Sequence, residues 1–184
     1  MSLKNSRILL CFVFSISLQL CTDWHPLNTS GENAYAKISP NQANRLLEEG
    51  NQRFVMGNLA EKHVIQARTQ LVSEQKPVAV IISCSDSRVA PEIVFDQSLG
   101  DLFVIRVAGN IVNDDVMGSV QYAVDHLNVP LVLVLGHENC GVIIEALQKR
   151  KHPLYLQSIL NKIEPLAEKA CLLALREMNW WTGP

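Results

Sequence analysis

The chain has 184 residues, a formal net charge of −2 and a hydrophobic fraction of 48%. That length and apolar content suit one globular domain with its own core. The even charge balance lacks the basic excess that binding a phosphate backbone requires, so nucleic acid is not an expected partner.

Lys4 and Arg7 precede an apolar run, Ile8 to Leu20. A charged start followed by a short apolar stretch matches a secretory signal and is short for a membrane span. Residues 1–21 are therefore expected to be a signal peptide and the protein to be exported, to the periplasm. Leu18-Gln19-Leu20-Cys21 loosely resembles a bacterial lipoprotein site, but the bulky Leu20 departs from that pattern, which makes a lipid anchor the lesser option. No other membrane association is expected. Residues 22–38 are polar, contain Pro26 and Gly31, and read as a linker.

The domain is expected over residues 39–170. Ser39, Pro40 and Gln42 form a helix start with a capping box. Ala43, Leu46 and Leu47 then share one helical face, and Gly57-Asn58 ends the pattern. Val78 to Ser83 is a nearly continuous apolar run, as in a parallel strand buried on both faces. Pro91 to Phe95 suggests a short helix, and Leu102 to Val107 a second strand ending in Ala108-Gly109-Asn110. A helix capped by Asp114 or Asp115 is expected to run to about Leu127, with Val116, Val120, Ala123, Val124 and Leu127 inward. Asn128 and Pro130 end it. Leu131 to Leu135 is a third strand. Cys140-Gly141 opens a helix to about Lys151, and a last helix covers about Ser158 to Met178, with a break at Pro165. Strands alternating with helices predict an α/β fold with a mostly parallel central sheet flanked by helices.

Two strand ends carry metal-ligand types. Cys84, Asp86 and Arg88 follow the first strand, separated only by serines. His137 and Cys140 follow the third. Ligands in open α/β sheets bind outside the carboxyl ends of the strands, so these side chains are expected to converge. Two thiolates and an imidazole suit zinc, one ion per chain. If Asp86 is a fourth ligand the site is closed. If Asp86 pairs with Arg88, one tetrahedral position is free; closed sites are structural and open ones catalytic. Cys11 and Cys21 fall in or beside the signal, Cys171 reads as a spare thiol, and His63, His126 and His152 read as surface residues.

Three segments together resemble the β-class carbonic anhydrases: Cys84-Ser-Asp-Ser-Arg88, Gly100-Asp-Leu-Phe-Val-Ile-Arg-Val-Ala-Gly-Asn110, and Gly136-His137-x-x-Cys140-Gly141. The resemblance implies zinc held by Cys84, His137 and Cys140. Asp86 is then either the fourth ligand or, with Arg88, an acceptor for the proton of zinc-bound water. It implies reversible hydration of carbon dioxide to bicarbonate and a homodimer or higher homo-oligomer. It also implies a substrate pocket of the plant-like branch, formed by Gln75, Phe103 and Tyr122 with Gly141 beside the metal. In another branch a tryptophan stands where this chain has Ile81, so bicarbonate inhibition of that kind is not expected, although Arg106 matches an arginine of the same inhibitory site.

Family members continue with a further helix and strand, whereas residues 171–184, with Trp180-Trp181, match nothing in the pattern. The sheet is therefore expected to lack an edge strand. Two rival readings follow: a zinc-binding remnant impaired by truncation, and a hydrolase of another small linear substrate such as carbon disulfide.

Overall fold

The computed structural model describes residues 38–62 and 64–178. The signal, most of the linker, His63 and the two terminal tryptophans lie outside the described residues. The elements in order are α1 (Pro40–Val55), α2 (Val64–Gln70), β1 (Ala79–Ser83), α3 (Pro91–Val94), β2 (Leu102–Arg106), a 3-10 turn (Ala108–Asn110), α4 (Asp114–Asp125), β3 (Val132–Leu135), α5 (Gly141–Leu147) and α6 (Leu154–Met178). The strands form one parallel sheet in the order β2-β1-β3. Ala79 pairs with Leu102 and Ser83 with Arg106 on one side of β1; Val80 pairs with Val132 and Ser83 with Leu135 on the other.

The central strand β1 is buried along its whole length, which is why it reads as an unbroken apolar run. Its side chains alternate between two cores. Ala79 and Ile81 pack with Leu47 of α1, Phe95, Leu133 and Leu135. Val80 packs with Ala123 of α4 and Val129 on the opposite face. A third cluster joins Ala146 of α5 to Leu160, Ile163 and Ala167 of α6. The result is a sheet with helices on both faces and all three strands pointing their carboxyl ends the same way.

Helix α1 starts as expected: Ser39 accepts from the Gln42 N–H, and Gln42 reaches back to the Ser39 N–H at 2.8 Å. Its buried face is Ala43, Leu47 and Gly50, while Leu46 is exposed, one position off the expected stripe. Gly50 belongs there because the helix lies directly on the Phe95 carbonyl, 1.8 Å from where a Cβ would sit. The same seam holds a buried charge. Asp96 is 3% exposed and receives the guanidinium of Arg53, the ammonium of Lys62 at 3.0 Å and the Ala60 N–H. This ties the end of α1 to the end of α3.

Several expected boundaries shift. Asn113, not either aspartate, caps α4: its side-chain oxygen accepts from the Val116 N–H at 3.0 Å, and the two aspartates fall in the first turn where they favour the helix dipole. Val124 is exposed rather than inward. Helix α5 stops at Leu147 instead of running to Lys151, because Lys149 takes a left-handed φ of 53°. Helix α6 begins earlier, at Leu154, and passes through Pro165 without a break. Proline removes one helical hydrogen bond, but Ile163 and Ala167 on either side remain buried against α5, and that packing carries the helix past it. Helix α2 had no periodic signal in the sequence.

Candidate metal centre

Cys84 is the first residue beyond β1, and His137 and Cys140 stand in the short turn between β3 and α5. Because β1 and β3 are parallel neighbours in register, their ends bring the three residues together: one donor atom from each lies within 4.8 Å of the others. The two sulfurs are 3.9 Å apart. That is close to the ~3.8 Å edge of a tetrahedron with metal–sulfur bonds of about 2.3 Å, and far beyond the ~2.05 Å of a disulfide.

The imidazole is oriented for coordination. His137 Nδ1 lies 2.9 Å from the Glu138 carbonyl oxygen, which can only accept, so Nδ1 carries the proton and Nε2 keeps its lone pair. That Nε2 is buried with no hydrogen-bond partner, which is the state of a donor built to meet a metal. Burial by itself would push the Cys84 thiol up, but the adjoining His137 ring and the main-chain N–H groups of Gly109, 3.3 Å from the sulfur, and Asp86 outweigh it and bring the thiol down to about 7. Cys140 is pushed up, chiefly by burial and also by the neighbouring Cys84 sulfur. Two thiols, one of them easily ionised, and one neutral imidazole fit zinc and leave one tetrahedral position free.

Asp86 lies outside the three-residue group. Arg88 grips it with both prongs, Nε to Oδ1 at 2.8 Å and Nη2 to Oδ2 at 2.7 Å, and adds its main-chain N–H at 3.0 Å. These hydrogen bonds hold the carboxyl well below the usual carboxylate range. Asp86 Oδ2 is nonetheless 3.8 Å from His137 Nε2, so the carboxylate borders the free position. Of the two arrangements left by the sequence, the structure has Asp86 paired with Arg88.

The residues assigned to a substrate pocket are not gathered at this cluster within one chain. Gln75 is exposed in the loop before β1, at the far end of the strand from Cys84. Phe103 pairs with Val80, four positions ahead of Cys84, hence about 13 Å back along the strand at ~3.3 Å per residue. Its ring meets Tyr122 of α4 at 6.3 Å, and Tyr122 meets His126 at 5.3 Å. Gly141 does adjoin Cys140, and a Cβ there would meet nothing within 4 Å, so the space beside the cluster is open. His152 is not a surface residue: its side chain is 14% exposed, with Nε2 3.1 Å from Glu145.

Two residues of the Gly100–Asn110 segment shape the centre in ways the sequence did not specify. Gly109 has a φ of 69°, and a Cβ there would lie 2.5 Å from Ile163 Cδ1; only glycine lets this backbone bring its N–H to the Cys84 sulfur. Arg106 donates from Nε to the Cys84 carbonyl at 3.0 Å and from Nη2 to the Asp86 carbonyl at 2.6 Å.

A family model described as carbonic anhydrase matches residues 79–179, which include every residue of this cluster. The chain belongs to the carbonic anhydrase family. Carbonic anhydrase 2 of Mycobacterium tuberculosis (strain ATCC 25618 / H37Rv) is 52% identical over 134 residues, covering 69% of this chain and 64% of that protein. The carbonic anhydrase of Mycolicibacterium smegmatis is 42% identical over 149 residues, 77% of this chain and 72% of the other. The chain thus spans just under two thirds of the length of the first of these carbonic anhydrases. Among solved structures, a Coccomyxa β-carbonic anhydrase in complex with acetazolamide aligns with a TM-score of 0.52 at 27% identity, over 67% of this chain and 56% of that one. A tetrameric β-carbonic anhydrase of Sordaria macrospora aligns at 0.53 and 26%, over 78% of this chain and 71% of its own.

Proposed function

We propose that the chain catalyses the zinc-dependent, reversible hydration of carbon dioxide to bicarbonate and a proton. The observation that carries this reading is the placement of Asp86: ionised, gripped by Arg88 and bordering the free position of a Cys84–His137–Cys140 centre. Zinc, when bound there, supplies a Lewis acid that lowers the pKa of water to about 7. The remaining work falls to the chain. Cys84, His137 and Cys140 would hold the ion, three ligands of the four that zinc takes. An ionised carboxylate accepts hydrogen and cannot donate it. Asp86 therefore takes a hydrogen of the attacking water and leaves a lone pair aimed at the substrate carbon. Arg88 keeps that carboxylate charged and turned away from the three ligands. Gly141 leaves room beside Cys140 for a small linear molecule.

The proposal extends to assembly. A homodimer or larger homo-oligomer, with Gln75, Phe103 and Tyr122 of one copy lining the pocket of another, is supported by the distance of these residues from their own cluster and by the 48% exposure of Tyr122. It extends also to location: the Lys4, Arg7 and Ile8–Leu20 pattern supports export to the periplasm.

Stopped-flow hydration on zinc-quantified protein tests the activity, with carbon disulfide as the comparison substrate for the hydrolase reading. Asp86→Asn at matched zinc should lose about 10²-fold or more in rate, the span usual for a positioned acid–base group. Unaltered hydration in that variant overturns the role given to Asp86, and absence of hydration in the zinc-loaded parent overturns the activity.

A further inference from the structure

Pairing between β1 and β2 ends at Ser83 and Arg106. Beyond that point the Arg106 side chain continues the connection. Its guanidinium donates to two main-chain oxygens, those of Cys84 and Asp86, which bracket Ser85 in the segment that leaves the sheet. The same segment aims the Asp86 side chain. Asp86 Oδ2 already lies 3.8 Å from His137 Nε2, so a modest rotation of this segment would carry a carboxylate oxygen into the free metal position. Arg88 opposes that movement, but it sits two residues along the same loop and would travel with it. Its outside contact is the Asn139 carbonyl, in the other metal-bearing loop. Arg106 supplies the tie to β2, an element of the sheet itself.

We infer that Arg106 is a positioning residue that holds the Cys84–Asp86 segment so that Asp86 pairs with Arg88 and the fourth metal position stays open. The inference rests on the metal reading above. Two carbonyls held by two N–H groups of one rigid fork is a task for arginine; the point charge of lysine can satisfy one of them well.

The test uses the full chain loaded with cobalt(II) in place of zinc, whose visible spectrum reports the ligands around the ion, and azide as the probe for an open position. In the unsubstituted protein azide should perturb the spectrum. In Arg106→Met the azide affinity should fall at least tenfold, because Asp86 fills the site. In Arg106→Met combined with Asp86→Ala the response should return. A general loss of structure would lower cobalt uptake but would not be repaired by removing Asp86. Unchanged azide affinity in Arg106→Met, or a double variant that stays silent, overturns the inference. Should Arg106→Met not fold, Arg106→Lys takes its place, with an expected loss of several-fold that Asp86→Ala again reverses; an unchanged affinity there overturns the inference equally. An unsubstituted chain that takes up no cobalt overturns the metal reading itself, and this inference with it.

Discussion

The guanidinium of Arg88 and the carbonyl oxygen of Asn139 lie 3.1 Å apart and join the two loops that carry the metal ligands. The same nitrogen donates to Asp86 at 2.7 Å, so one side chain couples the acid–base group to the His137–Cys140 turn. Asn139 can present its carbonyl this way because it adopts a left-handed φ of 51°. Arg88→Lys keeps the positive charge and loses the two-pronged grip. Such outer partners are worth about 10–100-fold in activity or metal affinity. We expect a loss of that size in hydration rate with zinc still bound, checked by kinetics beside metal analysis.

Metal binding should depend on pH through the two thiols. Zinc takes thiolates, so each thiol must lose its proton on binding. With Cys84 near 7 and Cys140 pushed up, zinc affinity should rise as pH climbs through 7 and continue to rise above it. Competition with a chromophoric chelator between pH 6 and 9 (roughly the span of ordinary thiol titration) measures this. Cys140→Ser should lose zinc and most folded protein together. Full zinc content in that variant would remove Cys140 from the ligand set. After chelation in air-saturated buffer, dissolved oxygen is expected to oxidise the facing Cys84 and Cys140 to a disulfide, taking up the two electrons and two protons, seen by mass spectrometry as the loss of two hydrogens.

Asp96 makes a separate, acid-sensitive contribution to stability. Hydrogen bonds from Arg53, against the opposing effect of burial, and from Lys62 bring its carboxyl down to about 2. A carboxyl whose folded value is depressed stabilises the fold at pH above its unfolded value of about 4 and loses that contribution as pH falls towards about 2. Denaturant titrations should show stability falling across that window. Asp96→Asn should be less stable at neutral pH and should show a shallower decline in acid. Parallel pH profiles for the two proteins would contradict this.

Gly50 offers a prediction with an inverted sign. Alanine in place of glycine inside a helix ordinarily stabilises by about 1 kcal/mol. At Gly50 the new methyl would lie 1.8 Å from the Phe95 carbonyl oxygen, so α1 must lift off the seam that also holds Asp96. Gly50→Ala is expected to destabilise by about 1–3 kcal/mol, the usual cost of overpacking. Thermal unfolding against Gly118→Ala, inside α4 where a Cβ meets nothing within 4 Å, separates the clash from backbone effects.

The metal ligands were legible because they follow apolar strands, and strand ends in a parallel sheet must meet. The α/β architecture and the Ser39 cap were legible for equally local reasons. What escaped depends on contacts between distant elements. Nothing near Asp96 in the chain marks it as the partner of Arg53, 43 residues earlier. In the sequence Arg106 matches an arginine of an inhibitory site, and its hold on the Cys84 and Asp86 carbonyls is seen only in the fold. Pro165 reads as a break because the packing of α6 on α5 has no signature in the proline itself. Whether Asp86 is on or off the metal could not be read from spacing, since both states use the same residues.

The cysteines of the centre are separated by 56 positions, and β1, which leads to the first of them, lies between the two strands made after it. On a nascent chain the first thiol therefore waits roughly 3–11 s for its partner at about 5–20 residues per second. When β3 arrives, its alternately buried side chains favour one register on β1, since a slip of one residue turns the buried set outward. A slip of one residue displaces the His137–Cys140 turn by about 3.3 Å. No tetrahedral shell tolerates that error. Zinc, once bound, would therefore add its binding energy to the one alignment of β3 on β1 that brings the three ligands together.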